Sequence, residues 1–307
     1  MHVVRIQQID AFTQQPFQGN PAGVVIDADT LTDREMQLIA REMNASETAF
    51  VMNSDEDLAD LRLRWFTPDQ EVALCGHATI AAFHALAAEG RFYLEVGEEQ
   101  SFMVETRSGI LQVDVDWHQR FPFIKFSLPI PQFDEFPGDW DLLMNALNLY
   151  SGQIDKDFNP LVDQNGYLYL MVEDRQTLSS IRLHTEQMLE LKEKHEVLAV
   201  AAGTTDTVDS QHDWDLRFFA PALGVPEDPV TGSANGPMAC YLLEHGKVSF
   251  DDGELILKGQ QGRFMDRSGT VHTLLRGHQQ QVDELKIAGS AVTVLDGNIS
   301  LPGKNSE

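Results

Sequence analysis

The chain has 307 residues, of which 42% are hydrophobic, a composition that suits a folded protein of two ordinary domains. Its 48 acidic and 22 basic residues leave a formal net charge of -26, which argues against nucleic acid and anionic membrane surfaces as partners. The two cysteines, Cys75 and Cys240, exclude a disulfide framework and a four-cysteine zinc site.

The sequence shows no targeting or membrane segment. The opening MHVVRIQQIDAF lacks a basic region followed by a long apolar stretch, so no secretory signal is predicted. No run of about 18 apolar residues is present, so no membrane span is predicted. We therefore expect a cytoplasmic protein.

The first half of the chain has the pattern of a strand-rich domain. A helix is predicted over TLTDREMQLIAREM, because its apolar residues have helical spacing and Thr32 can cap its start. A second helix is predicted from about Ala78 to Ala88, ended by Gly90. Strands are predicted over VVRIQQIDAF, GVVI, SETAFVM, LRLRWF, FYLEV, FMVET, ILQVDV and FIKFSL, and PIPQFDEFPGDW is predicted to be a connection.

The second half follows the same order of patterns. A turn and a helix are predicted over TGSANGPMACYLLEHG, with Gly246 ending the helix. Because proline is tolerated only near the start of a helix, Pro237 predicts that this helix begins at or after Ala234. Another helix is predicted over TEQMLELKEKH, and strands are predicted over YLYLMV, VLAVAAG, DLRFFAP, ELILKG, VHTLLRG and AVTVL.

The two halves share a repeated series of motifs. RWFTP begins at Arg64, and RFFAP begins at Arg217, 153 residues later. EVALCGHATIAA begins at Glu71, and EDPVTGSANGPM begins at Glu227, 156 residues later. A strand, a proline break, a glycine turn and a helix therefore recur in one order. We infer two domains that descend from one duplicated unit.

The glycine of each repeated turn lies where a strand ends and a helix begins. A helix N-terminus presents free backbone N–H groups and a partial positive charge, which stabilise an anion by about 0.3–1 kcal/mol at a surface and up to about 2 kcal/mol when partly buried. Gly76 and Gly232 could therefore bind one small carboxylated molecule, if the two turns face each other across a cleft. The alternative is that both glycines only permit tight packing of helix on strand.

Polar residues lie beside both glycines. His77 and Ser233 occupy the same place after them, and each could point into a shared cleft. Asp228 lies ahead of the second helix, where an acidic residue is also a common cap. By composition alone, Glu47 in SETAF has the character of an ordinary exposed glutamate.

Cys75 invites interpretation as a nucleophile. A two-thiol racemase would have cysteine in both turns, but the matching residue of the second turn is Thr231. A cysteine hydrolase would need Cys75 and His77 to face each other, and residues two apart on a helix do not. Cys75 is therefore predicted to be a small buried residue. The remaining histidines have no metal-ligand spacing, so no metal site is predicted.

Four motifs in order resemble one known family. DAFTQQPFQGNPAGVV, SETAFV, RWFTPDQEVALCGHAT and GVPEDPVTGSANGP resemble the phenazine-biosynthesis PhzF-like isomerases, and the similarity runs from about Ile9 to Leu301. The resemblance implies an α/β (α+β) fold of the diaminopimelate epimerase type, with two pseudo-symmetric domains that each wrap a sheet around a central helix. It places the domains at residues 1–127 and 128–288, with a final strand in 289–307 that returns to the first domain.

The resemblance also implies an activity and its residues. Glu47 would move a proton between carbons of a small carboxylated metabolite in the interdomain cleft, with no metal or organic cofactor, and the protein would be compatible with a homodimer. Two alternatives stay open, an amino-acid racemase or epimerase that uses Cys75 and a non-catalytic protein that binds small carboxylates. The implied catalytic residues are Glu47, His77 and Asp228, and the implied substrate-binding residues are Gly76, Gly232 and Ser233.

Overall fold

A computed structural model describes residues 2–92, 97–118 and 121–302 of the chain. Contacts between Cα atoms divide it into two compact units. Unit 1 holds the described residues of Met1–Ser127 and Ala288–Glu307, and unit 2 is Leu128–Ile287. Most of the predicted strand FYLEV lies outside the described residues.

The structure contains strands and helices in both halves of the chain, including helices at Trp140–Leu147 and Arg175–Ser180 that the sequence analysis did not predict. The first elements are β1 (His2–Ala11), β2 (Asn20–Val25), α1 (Asp33–Met43), β3 (Glu47–Met52), β4 (Leu61–Phe66), β5 (Glu71–Val72), α2 (Gly76–Ala88), β6 (Glu99–Thr106), β7 (Gly109–His118) and β8 (Phe121–Ser127). The next are β9 (Phe133–Glu135), α3 (Trp140–Leu147), β10 (Leu161–Asp163), β11 (Tyr167–Met171), α4 (Arg175–Ser180), α5 (Thr185–His195), β12 (Ala199–Thr204), β13 (Trp214–Ala220) and β14 (Val225–Asp228). The last are α6 (Gly232–Glu244), β15 (Glu254–Gln261), β16 (Gly269–His278), β17 (Gln281–Gly289) and β18 (Ala291–Leu301).

The two units have the same strand pairing. In unit 1, β1 is antiparallel to β2 and β18, β2 is parallel to β3, β3 is antiparallel to β4, β4 is parallel to β6, and β6 is antiparallel to β7. In unit 2, β10 is antiparallel to β11 and β9, β11 is parallel to β12, β12 is antiparallel to β13, β13 is parallel to β15, and β15 is antiparallel to β16. The repeat in the sequence is therefore a repeat of topology.

Helix α1 forms where its cap and spacing predict it. The Thr32 hydroxyl accepts a hydrogen bond from the Glu35 backbone N–H, and the Glu35 carboxylate accepts one from the Thr32 N–H, which completes a capping box. Met36 and Ile39 are fully buried, in a cluster with Phe50 of β3. This cluster covers the face of the unit 1 sheet on which α1 packs.

Each unit also has a central helix. In α2 every residue of His77–Ala87 is buried, and the helix packs against β1, β2, β3, β8 and β18. In α6 the buried residues are equally continuous from Ala234 to Leu243. A helix that is apolar all round is one that its surroundings enclose, as the sequence predicts.

Two predictions about element bounds are wrong. Helix α6 begins at Gly232 and not at or after Ala234, so Pro237 lies inside it. The carbonyl that Pro237 leaves without a helical donor belongs to Ser233, an exposed residue of the first turn, where the loss costs little. The segment PIPQFDEFPGDW is more than a connection, because Phe133–Glu135 pairs with β10 as the short strand β9.

Candidate active site

Glu47 and the start of α2 lie together in unit 1. Glu47 is the first residue of β3, and it is paired with Ala22 in the parallel ladder of β2 and β3. Helix α2 packs against both strands. The fold therefore places the Glu47 carboxylate beside His77, whose Nε2 lies 3.3 Å from Glu47 Oε2.

The Glu47 side chain is largely removed from solvent. It keeps 20% of its surface exposed, so its interpretation from composition as an ordinary exposed glutamate is wrong. Burial raises the pKa of the Glu47 carboxyl above its usual value, because the charged form loses hydration. Hydrogen bonds from the side chains of Ser46 and Cys75 to the carboxylate oppose that rise. The result is a carboxylate that is both held in place and more basic than usual.

His77 connects the other polar groups of the site. Its Nε2 lies 3.2 Å from Ser46 Oγ, and its Nδ1 lies 3.5 Å from Cys75 Sγ. Cys75 is buried, as predicted. The prediction that Cys75 and His77 do not meet is wrong, because Cys75 precedes the helix with an extended backbone at φ −143° and ψ 114°. The spacing rule for helical residues does not apply to a residue outside the helix.

Sequence reasoning gave Ser46 no role in this site and favoured packing for Cys75. Ser46 stands directly before Glu47 in SETAF. Its position next to the candidate base was the one feature of the sequence that could have indicated its role. Cys75 stands directly before Gly76, and sequence reasoning favoured a packing role for it while it left open a racemase that uses its thiol. Among the described residues, Glu47, Cys75 and His77 form a group of three possible metal ligands, each offering one atom within 4.8 Å of the others.

The N-terminus of α2 adds backbone donors to the site. The first helical hydrogen bond runs from the Thr79 N–H to the Cys75 carbonyl, at 3.1 Å. The N–H groups of Gly76, His77 and Ala78 precede it, and the Cys75 side chain makes no capping hydrogen bond. Donors at the positive end of a helix dipole stabilise a bound anion. The arrangement can thus hold an anion next to a basic carboxylate.

The remaining predicted site residues belong to unit 2. Asp228 ends β14, and its carboxylate accepts a hydrogen bond from the Thr231 hydroxyl. Gly232 is buried as the first residue of α6, and Ser233 follows it with an exposed side chain. The structure thus groups Glu47, Gly76 and His77 in unit 1 and groups Asp228, Gly232 and Ser233 in unit 2.

A buried amide network holds the start of α6. The Gln261 Oε1 accepts from the Thr231 N–H at 2.9 Å and from Asn235 Nδ2 at 2.8 Å. Asn235 also donates to the Thr231 carbonyl and accepts from Trp214 Nε1, both at 2.9 Å. Gln261 and Asn235 are almost completely buried. In the sequence, this network was indicated only by Asn235, an amide side chain among the small and apolar residues of α6.

None of the helices that the structure describes is both long and apolar enough to cross a bilayer.

Residues 9–297 match the family described as "Phenazine biosynthesis-like protein". The chain is 35% identical to an uncharacterized isomerase of Clostridium acetobutylicum, over 96% of this chain and 98% of that protein. It is 30% identical to the trans-2,3-dihydro-3-hydroxyanthranilate isomerase of Pseudomonas aeruginosa, over 95% of this chain and 98% of that protein.

A solved structure shares the fold. The crystal structure of a PhzF-family phenazine biosynthesis protein of Bacillus anthracis matches with a TM-score of 0.89 and 30% identity, over 98% of this chain and all of that one. The predicted fold class is confirmed by this likeness.

Proposed function

Because the chain belongs to the phenazine biosynthesis-like protein family and is an isomerase, we propose that it shifts a proton between carbon atoms of a small carboxylated metabolite. Glu47 removes the proton from one carbon and returns it to another, and this step needs no cofactor. The observation that supports the proposal best is the largely buried Glu47 carboxylate, held against the N-terminus of α2 by Ser46, Cys75 and His77.

The environment of Glu47 suits a general base. A carboxylate with an ordinary pKa is a weak base toward a C–H group, and a raised pKa brings it closer to the working pH. The hydrogen bonds from Ser46 and Cys75 fix the carboxylate so that it need not reorganise before each transfer. A positioned acid–base group of this kind contributes about 10²–10⁴ in rate.

The surrounding donors supply binding and charge stabilisation. The backbone N–H groups of Gly76 and its successors bind the substrate carboxylate in this proposal, since a helix N-terminus favours an anion. His77 orients the substrate and stabilises the negative charge that develops as the proton leaves carbon. In unit 2, the N–H groups of Gly232 and Ser233 form a comparable anion-binding helix start, and an orienting role for Asp228 stays a prediction.

The substrate class follows from the same chemistry. It must carry a carboxylate for the amides and a C–H group that an adjacent carbonyl, carboxylate or double bond makes acidic. Trans-2,3-dihydro-3-hydroxyanthranilate, named for the Pseudomonas aeruginosa relative, has this character and is the first compound to test.

Solvent exchange tests the proposal directly. Protein is incubated in deuterated water with trans-2,3-dihydro-3-hydroxyanthranilate and a panel of small carboxylates, and deuterium incorporation is followed by NMR and mass spectrometry. Glu47→Gln keeps the shape of the side chain but removes the base, so we expect exchange to fall by about 10²–10⁴. The matched control is Glu56→Gln, which changes an exposed glutamate and should leave exchange unaltered.

Two results would contradict the proposal. Exchange by Glu47→Gln at the rate of the unchanged protein would show that Glu47 is not the base. Tight binding of carboxylates by the unchanged protein, with no exchange into any of them, would favour a non-catalytic carboxylate-binding protein.

Cys75 keeps the thiol-based racemase as a second candidate, because its sulfur contacts both Glu47 and His77. That chemistry uses two thiols, and the matching Thr231 offers only a hydroxyl that donates to Asp228. We expect Cys75→Ser, which retains a donor to Glu47, to keep exchange within about tenfold, the effect of a single hydrogen bond of about 1 kcal/mol. Loss of exchange in Cys75→Ser equal to that in Glu47→Gln would favour the racemase.

A further inference from the structure

Three side chains of different chemistry meet at the start of α2. The Nε2 of His77 is 3.3 Å from Glu47 Oε2, and Cys75 Sγ is 3.5 Å from Nδ1 and 4.0 Å from Nε2 of the same ring. In a tetrahedral zinc site with ligand bonds of about 2.0–2.3 Å, neighbouring ligand atoms are about 3.3–3.6 Å apart. With Nε2 as the imidazole ligand, the distance from His77 to Glu47 matches this spacing, and the distance from Cys75 to His77 exceeds it by about 0.4 Å. One ligand atom from each of the three side chains lies within 4.8 Å of the others, so small side-chain movements would complete the coordination.

The set of donor atoms selects the kind of metal. A cysteine thiolate and an imidazole favour zinc over magnesium or calcium, which prefer oxygen ligands alone. Three protein ligands leave a fourth position for water or substrate. Cys75 and His77 are buried, while the partial exposure of Glu47 leaves a route by which an ion can enter. The net charge of -26 concentrates cations around the protein.

We propose that Glu47, Cys75 and His77 form a Zn²⁺ site whose occupation inhibits the isomerase. Binding displaces the proton of the Cys75 thiol, which passes to the solvent buffer, and the resulting thiolate, the neutral His77 ring and the Glu47 carboxylate coordinate the ion. The carboxylate oxygen that would accept the substrate proton is then a metal ligand. The inhibition rests on the proposed function of Glu47, whereas the binding of the metal does not.

The spacing of histidines along the chain could not indicate this site. Glu47 comes from the start of β3, Cys75 from the residue before α2, and His77 from its first turn. The contact of the two α2 residues depends on the extended backbone of Cys75. The expectation that the chain lacks a metal site was drawn from the cysteine count, the histidine spacing and the family resemblance, whereas the fold brings these three side chains together from two elements.

Metal binding is tested on the full chain after treatment with EDTA and without substrate. Zinc chloride is titrated by calorimetry in two buffers of different ionisation enthalpy, and cobalt(II) chloride is titrated by absorption. We expect one ion per chain, release of a proton, and a thiolate-to-cobalt charge-transfer band with tetrahedral ligand-field bands. In Cys75→Ser and Cys75→Ala the charge-transfer band should vanish, and zinc affinity should fall more than ~100-fold, beyond the loss typical of an outer contact.

Cys240→Ser is the matched control. Cys240 is the other cysteine of the chain, it is buried in α6 of unit 2, and burial raises its pKa to about 12, so it should contribute nothing to binding. The charge-transfer band and the zinc affinity should be unchanged in this variant. A band that persists in both Cys75 variants, or no binding by the unchanged protein, would overturn the zinc site.

Inhibition is measured by the deuterium exchange assay. Zinc should suppress exchange, EDTA should restore it, and the exchange that Cys75→Ser retains should resist the same zinc concentration. Exchange that depends on Glu47 but is indifferent to zinc would overturn the inhibition and leave the proposed function standing. Zinc that binds through Cys75 in a protein that exchanges no substrate would support the metal site and contradict the proposed function. Zinc that increases exchange would overturn the inhibitory role.

Discussion

The strand that leads to each central helix is built in the same way in both units. In unit 1, Arg64 of β4 donates two hydrogen bonds to the Glu71 carboxylate, at 2.8 and 2.9 Å. In unit 2, Arg217 of β13 donates two to the Glu227 carboxylate, both at 2.8 Å. Each guanidinium also lies over the ring of the phenylalanine two residues on, 5.1 and 4.8 Å from its centre. The two units thus share the side-chain contacts that support each turn, as well as its backbone topology.

The chemistry that the two scaffolds carry is different. Strand β3 begins with Glu47 and pairs it with Ala22, whereas β12 begins with Ala199 and pairs it with Tyr167. Unit 2 therefore has no carboxylate at the position of the proposed base. The residue four after the N-cap is Thr79 in α2 and Asn235 in α6, and both donate to the N-cap carbonyl. Only Asn235 extends that bond into a buried amide network.

This difference indicates a division of roles after duplication. One turn presents acid–base groups, and the other is braced by hydrogen bonds between buried amides. A carboxylate at this position in unit 1, with Ala199 at the matching position of unit 2, fits the proposed reaction in which one group removes a proton and returns it. It does not fit a reaction that needs a base at both positions.

Substitution of the two matched helix residues gives the largest expected change in stability. Asn235→Ala leaves Trp214 Nε1 without a partner, which costs about 1–3 kcal/mol. It also removes the hydrogen bonds to Gln261 Oε1 and to the Thr231 carbonyl, worth about 0.5–1.5 kcal/mol each, so the free energy of unfolding should fall by about 2–6 kcal/mol. Thr79→Val removes one hydroxyl-to-carbonyl bond at nearly constant volume, so it should cost only about 0.5–1.5 kcal/mol. Urea unfolding followed by circular dichroism measures both. Equal losses would show that the two turns are braced alike.

Asp228→Asn tests whether unit 2 contributes a catalytic side chain to the reaction. If Asp228 orients the substrate through one hydrogen bond to its carboxylate, that bond is worth about 1.5–3 kcal/mol, and we expect kcat/KM to fall about 10–100-fold. This loss is smaller than that expected for Glu47→Gln, and the fold should be retained. Loss of deuterium exchange as complete as in Glu47→Gln would mean that both turns carry the reaction.

Much of the fold could be predicted from the sequence because local rules and tertiary structure agree there. The capping box of Thr32 and Glu35 starts α1 in the structure as in the sequence pattern. The all-apolar character of α2 correctly indicates an enclosed helix. The start of α6 was missed because Ser233, whose carbonyl Pro237 leaves without a helical donor, is exposed, and a local rule for proline does not include the exposure of that carbonyl.

The candidate site was less accessible to prediction. A motif could indicate Glu47, but only packing against α2 determines that its side chain is mostly buried. The contact of Cys75 with His77 follows from one extended backbone angle pair, which a spacing rule for helices cannot supply. Contacts within one helix are local, whereas the site joins a strand to a helix start across almost thirty residues of chain.

A last matched pair differs in charge and in burial. The residue of β4 that corresponds to Asp215 of β13 is Arg62, which is 39% exposed and forms an ion pair with Glu105 at 3.3 Å. The Asp215 side chain is 3% exposed, and neither carboxylate oxygen has a hydrogen-bond partner among the described residues. The Nε of Arg263 lies 3.9 Å from Asp215 Oδ2. Burial raises the pKa of Asp215 above 3.8, and the charge of Arg263 opposes that rise.

Asp215→Asn should therefore stabilise the protein, and the gain should increase as pH rises. The change in the free energy of unfolding should be the smallest of those predicted here, because the charge of Arg263 offsets part of the cost of burying the Asp215 carboxylate. The folded state holds the Asp215 proton more tightly than the unfolded state, so ionisation above the ordinary pKa of 3.8 lowers the free energy of unfolding, and an amide escapes this loss. Urea unfolding between about pH 3.5 and 7 measures the difference between variant and unchanged protein. Asp157→Asn is the control of opposite sign, because Lys247 lowers the pKa of the exposed Asp157 and that variant should lose stability as pH rises. A difference for Asp215→Asn that does not vary with pH would show that Arg263 fully compensates the buried charge.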